Sequence, residues 1–147
     1  MKRFVFKLQT LLNIKQSFEK EQLAKLLECD ALIARLNGEL AALRDSFEQM
    51  RLEYNQKAAS GMVVSSASNY VSGFEFLKDS IEAKKDEIAV AEADRLKIQL
   101  KLIEIKRDIK VYEKLREKQY EEYLKEVKLE EDNLIGDILS YKVTTEG

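Results

Sequence analysis

The sequence predicts an all-α protein, a long antiparallel two-helix coiled-coil hairpin whose second helix is longer than the first. The apolar residues Leu26, Cys29, Ile33, Leu36, Leu40, Leu43, Phe47, Met50 and Tyr54 alternate steps of three and four. That is the heptad rhythm of a helix needing a partner along its length. A second ladder keeps the same rhythm through Phe74, Leu77, Ile81, Lys84, Ile88, Ala91, Arg95, Ile98, Leu102, Ile105, Ile109 and Tyr112. Folding one ladder back on the other sets Tyr54 opposite Leu77, Leu40 opposite Ala91 and Leu26 opposite Ile105. Composition agrees: 35% charged residues, 45% hydrophobic residues and no proline suit long helices with solvated sides.

A length of 147 residues fits a single coiled-coil domain over 1–147. Helix 1 is expected at about 4–57, a turn at about 58–72 and helix 2 at about 73–140, with signals drawn from periodicity and from turn chemistry. Helix 1 opens with Leu8, Leu11, Leu12, Ile14 and Phe18 on one broad face, then passes through Gln22 to Leu26 in two steps of four, a stutter that locally unwinds a supercoil. Gly38 interrupts the ladder, at about 1 kcal/mol relative to alanine. From Ala58 to Gly73 the chain turns small and polar, with Gly61 as a helix C-terminal residue and Ser65, Ser66, Ser68 and Asn69 as candidate N-caps.

Helix 2 is expected to overhang helix 1 at its C-terminal end. Past Tyr112 its ladder passes through Arg116 and Gln119 and returns loosely as Tyr123, Val127, Leu134, Ile138 and Tyr141. An unpaired end with such a face is frayed, packed in an oligomer, or reserved for a partner. Near Leu96 to Tyr112 a second stripe, Leu96, Leu100, Ile103 and Val111, widens the apolar face; either Leu12, Leu23 and Leu27 of helix 1 cover it or another protein packs there, and core is the expectation.

Chemistry is sparse. There is no histidine, no GxxxxGK[ST] phosphate loop, no CxxC pair and no Ser/His/Asp set, and carboxylates on a two-helix rod lie in water rather than in a dry cleft. The expectation is a protein that acts by contact: no enzyme, no catalytic residue, no cofactor, no metal and no small-molecule substrate. Twenty-five basic against 27 acidic residues give a formal charge of −2, which argues against nucleic acid as a partner. The single cysteine, Cys29, reads as a small buried apolar residue. Lys84, Arg95 and Gln22 at seam positions read first as register-setting residues whose methylenes cover apolar neighbours, with partner binding by Lys84 as the alternative. Lys106, Lys110, Lys114 and Lys118 recur every four residues and form either a solvated face or a side for an acidic protein. No run approaches the roughly 18 apolar residues of a membrane span. Met1-Lys2-Arg3-Phe4-Val5-Phe6 is interrupted by Lys7 and Gln9 too soon for an export signal.

The opening Phe4-x-Phe6-x-Leu8-x-x-Leu11-Leu12-x-Ile14-Lys15, the Gly61-Met62 turn with Asn69-Tyr70, the Phe74-x-x-Leu77-x-x-x-Ile81 helix and the segment Glu113-Lys114-Leu115 to Tyr120-x-x-Tyr123 before Glu131-Asp132-Asn133-Leu134 resemble the flagellar export protein FliJ family. The resemblance implies a two-helix coiled coil like the central stalk of rotary ATPases. It implies partners too: the hexameric export ATPase, the cytoplasmic linker of the membrane export-gate protein, and export chaperones. The protein is then cytoplasmic, peripherally associated with the inner membrane. By the same resemblance the gate surface comprises Glu39, Leu43, Ser46, Phe47, Met50, Tyr54, Phe74, Leu77, Ser80 and Lys84. With the two termini at the ATPase end, Phe4, Phe6, Tyr123, Val127, Leu134 and Ile138 are the expected ATPase contacts. The rival readings are the equivalent stalk of a virulence type III secretion system and a structural, dimerising coiled coil.

Overall fold

A computed structural model describes residues 2–146; Met1 and Gly147, the ends of the expected domain, lie outside the described residues. Two helices account for nearly all of it, α1 (Gln9–Ser60) and α2 (Val64–Glu146), the second longer as expected. Packing groups the chain into two compact units: a turn unit, Gln22–Lys101, and a strap unit formed by the chain up to Glu21 and from Leu102 onward.

In the turn unit the helices meet antiparallel around Leu36, Leu40, Ile88 and Ala91, with Ile33 and Ile81 packed against them. Cys29 is buried and its thiol donates to the Ala91 carbonyl over 3.3 Å, the inert placement expected of it. The connection differs from the expectation. It spans only Gly61, Met62 and Val63, because Gly61 takes φ +96°, the left-handed conformation in which a glycine ends a helix without steric cost. The Val63 carbonyl accepts from the Ala67 amide, so Val63 opens α2, and Ser65, Ser66, Ser68 and Asn69 lie inside the helix rather than capping it. Weak helix formers there are overridden by tertiary contact, Tyr70 packing against Tyr54.

The short turn shifts the register. Tyr54 meets Tyr70 and Phe74, not Leu77, and Lys84 meets Glu39, so the pairing lies one heptad from that expected. A heptad ladder looks the same after a slip of one repeat, so apolar spacing alone cannot choose between the two. The polar intrusions can. Lys84 reaches Glu39 and Arg95 reaches Asp30. In the slipped register these cations would meet Ser46 and Asn37, neither of them an acid.

In the strap unit α1 begins at Gln9, later than the expected start near Phe4. Residues 2–8 form no helix, and their burial alternates: Phe4 and Leu8 half-buried, Phe6 6% exposed, Arg3, Val5 and Lys7 exposed. A period of two is that of extended chain, which sends alternate side chains to opposite sides. This strap packs Phe6 with Leu12 and Ile109, flanked by Phe4, Leu8, Ile105, Tyr112 and Leu115. Lys15 Nζ donates to Asp108 Oδ2 over 2.9 Å. On α2 the half-buried track after Tyr112 runs through Leu115, Gln119, Tyr123 and Val127 rather than Arg116, and every described residue from Glu131 to Thr145 is exposed.

The widened stripe is corrected as well. Leu96 and Leu100 in the turn unit, and Ile103 and Val111 in the strap unit, are exposed; so are Leu23 and Leu27, and only Leu12 joins a core. Ile98, Leu102, Ile105 and Ile109 occupy the seam, which leaves the second stripe turned outward.

Candidate functional site: two interaction surfaces

The first surface belongs to the turn unit. From α1 come Phe47, Met50 and Tyr54, each about one helical turn from the next, and from α2 Tyr70, Gly73, Phe74 and Leu77. Phe74 stands edge-on to Phe47 at 5.2 Å and to Tyr54 at 6.0 Å, while Tyr54 and Tyr70 meet at 5.6 Å, the offset geometries that aromatic quadrupoles favour. Lys57 Nζ lies 5.5 Å from the Tyr70 ring centre. Gly73 keeps this approach open, since a Cβ there would stand 3.0 Å from Met50 Sδ. Farther from the turn, Lys84 Nζ donates to Glu39 Oε2 over 2.6 Å, and Arg35 donates to Glu39 Oε1 over 2.7 Å. The Lys84 hydrogen bond holds the Glu39 carboxyl below its ordinary value, and the Glu39 bond holds the Lys84 ammonium above its own.

Of the ten residues expected here, Phe47, Met50, Tyr54 and Phe74 come together in the aromatic cluster. Glu39 and Lys84 form an ion pair. Leu77 is buried as core, Leu43 and Ser80 are half-buried, and Ser46 is exposed. Lys84 is engaged within the chain, as its register-setting reading has it. Tyr70 and Gly73 are missing from the expected surface because they lie in the small, polar stretch from Ala58 to Gly73; the signal was Tyr70 lying four residues before Phe74, one helical turn along the same face.

The second surface belongs to the strap unit. Phe4 sits between Tyr120 and Tyr123, at 5.1 and 5.5 Å, and the Arg116 guanidinium lies 6.0 Å from its ring. Tyr123 Oη donates to the Lys2 carbonyl over 2.9 Å. Phe4 and Tyr123 are therefore in contact, Phe6 is spent on the core, and Val127 is half-buried beyond them. Leu134 and Ile138, 60% and 54% exposed, lie on the stretch of α2 that no described residue covers, together with Ile135, Leu139 and Tyr141. Tyr120, Leu124, Val127, Leu134, Ile138 and Tyr141 recur at steps of three, four and seven, so that one face of this stretch is apolar.

No group of three or more metal-ligating side chains occurs among the described residues, and no described helix is long and apolar enough to cross a membrane. The family model described as Flagellar FliJ protein matches residues 4–145. No curated protein and no solved structure matches the chain.

Proposed function

The chain belongs to the flagellar FliJ family, and we propose that within flagellar protein export it is a non-enzymatic stalk and coupling component. In this reading the strap unit binds the hexameric export ATPase, and the turn-unit surface binds the cytoplasmic linker of the export-gate protein. The protein works in the cytoplasm, peripherally attached to the inner membrane, and also engages export chaperones. The observation that carries the reading is the bare end of α2: an apolar helical face from Leu134 to Tyr141 that the described residues leave exposed. Exposed helical stripes of this kind are covered by another protein in the working assembly.

The test is the hydrolysis rate and hexamer fraction of the cognate export ATPase with and without the protein. Both should rise with it, and a Leu134→Ala/Ile138→Ala variant, changed where both side chains are more than half exposed, should raise them less. No change in either quantity would overturn the ATPase half. For the gate half, Phe74→Ala should weaken gate binding and motility; full retention of both in a folded variant counts against that surface. The flagellar description of the matching family supports this system over a virulence one. A dimerising coiled coil would also bury the bare face, and sedimentation separates the two, a monomer favouring the stalk.

A further inference from the structure

Along one side of the helix seam in the turn unit runs an open groove of about 610 Å³ that uses none of the aromatic cluster. Leu36 and Ala91 form its buried floor, while Leu32 and Val90 line it 38% and 63% exposed. Ala83 and Ala91 are small, so a third backbone can come close, at the 8–10 Å typical of packed helices. Four charges edge the groove, and they divide by engagement. Arg35 is held by Glu39 over 2.7 Å, and Glu87 lies 3.4 Å from Lys84 Nζ. Asp86 and Asp94 form no hydrogen bond or ion pair with any described residue.

Asp86, Val90 and Asp94 stand at i, i+4 and i+8, one side of α2 over about 12 Å. Acid, apolar contact and acid are thus presented in a row beside an apolar trough. A helix lying in that trough meets Val90 and Leu32 with an apolar residue and meets the two acids with groups four residues before and four after it. The pattern is symmetric, so either direction of the incoming helix satisfies it. A second copy of this chain is a poor occupant: Lys or Arg, an apolar residue, and Lys or Arg at these spacings occur only at Lys7, Leu11 and Lys15. There Lys7 precedes α1 and Lys15 is already tied to Asp108.

We propose that this groove docks an amphipathic helix of a different protein, one whose apolar stripe is bracketed by Lys or Arg four residues on either side of the residue facing Val90. The site does not depend on the stalk reading, and its occupant is defined by chemistry alone.

The test uses the full chain and a fluorescein-labelled synthetic helix built on Lys-x-x-x-Leu-x-x-x-Lys, with a Glu-for-Lys counterpart, read by anisotropy. The Lys helix should bind saturably and more weakly as salt rises. D86N/D94N, which removes charge without adding bulk, should weaken it, and D86K/D94K should weaken it by at least about tenfold and transfer the preference to the Glu helix. D132K/D137K, with the same change in net charge in the strap unit, should leave binding intact, as should Phe74→Ala. The proposal is overturned by absence of saturable binding, by equal loss in D132K/D137K, or by D86N/D94N and D86K/D94K binding the Lys helix as the unmodified chain does. A folded D86K/D94K variant that fails to favour the Glu helix overturns it as well. Helicity by circular dichroism, unchanged for exposed substitutions, accompanies each variant.

Discussion

In the turn unit two helices bury a mainly aliphatic seam, Leu36 and Leu40 against Ile88 and Ala91, whereas in the strap unit an extended segment lies beside them and supplies aromatic rings. Both routes bring their best-covered residues to the same point: Leu36, Ala91 and Leu12 are each 3% exposed. Two facing helices enclose a narrow stripe. In the strap unit, Phe4, Phe6 and Leu8 widen the covered face. Both units carry cross-helix ion pairs, Lys84–Glu39 and Arg95–Asp30 in the turn unit and Lys15–Asp108 in the strap unit, and the strap unit adds Tyr120 edge-on and Tyr123 tilted against Phe4.

The contrast can be broken most strongly at Phe6. Phe6→Ala should destabilise the strap unit by about 3 kcal/mol, since it removes an aromatic ring from the buried cluster. Hydrogen exchange should report the loss first around Ile109 to Tyr123, with protection near Leu36 retained. Leu36→Ala should cost about 2–3 kcal/mol, at the low end for leucine because two helices can close on the space, and here protection should fall first between Cys29 and Leu40. Gly38→Ala acts in the other direction. Nothing lies within 4 Å of the added Cβ, so the helix-propensity gain of about 1 kcal/mol should appear whole in a denaturation midpoint.

The smallest effect is that of pH on the Glu39–Lys84 pair. Glu39 is held below its ordinary 4.5, first by the Lys84 hydrogen bond, so its contribution is complete above pH 4.5 and is lost as pH falls through the lowered value. Lys84 is held above 10.5, first by the Glu39 bond, so its contribution is complete below that pH and is lost as pH rises through the raised value. Both groups are partly solvated, which keeps the effect small. Glu39→Gln should flatten the acid limb of a stability-versus-pH curve relative to the unmodified chain.

Heptad spacing was enough to read two helices, their unequal lengths and most of the seam, because a buried stripe must recur every three and four residues. It could not fix the register, which a repeating ladder leaves free. That information lay in the seam charges: Lys84 and Arg95 find acids in only one of the two registers. The turn was misjudged because Ser65 to Asn69 look like caps and loop by local preference, while Tyr70 against Tyr54 makes them helical. The strap was written as Phe4, Phe6 and Leu8, an alternation of two placed directly before helical periodicity and easily absorbed into it. The aromatic part of the turn-unit surface was legible as rings at seam spacing. The groove beside Val90 was not, because its shape depends on which residues of α1 face Ala83 and Ala91, and so on register.

Tyr123 and the Lys2 carbonyl that its hydroxyl binds are 121 residues apart in sequence. During synthesis Phe4 and Phe6 emerge well before the residues that will cover them, a wait on the order of ten seconds at about 5–20 residues per second. Closure of the strap is therefore a late, long-range event with a high contact-order cost, while the turn unit closes over shorter separations, 45 residues from Lys84 to Glu39 and 62 from Cys29 to Ala91. Until Ile109 is made for Phe6, and Tyr120 and Tyr123 for Phe4, the two phenylalanines are apolar groups on a nascent chain without the residues that cover them in the folded protein.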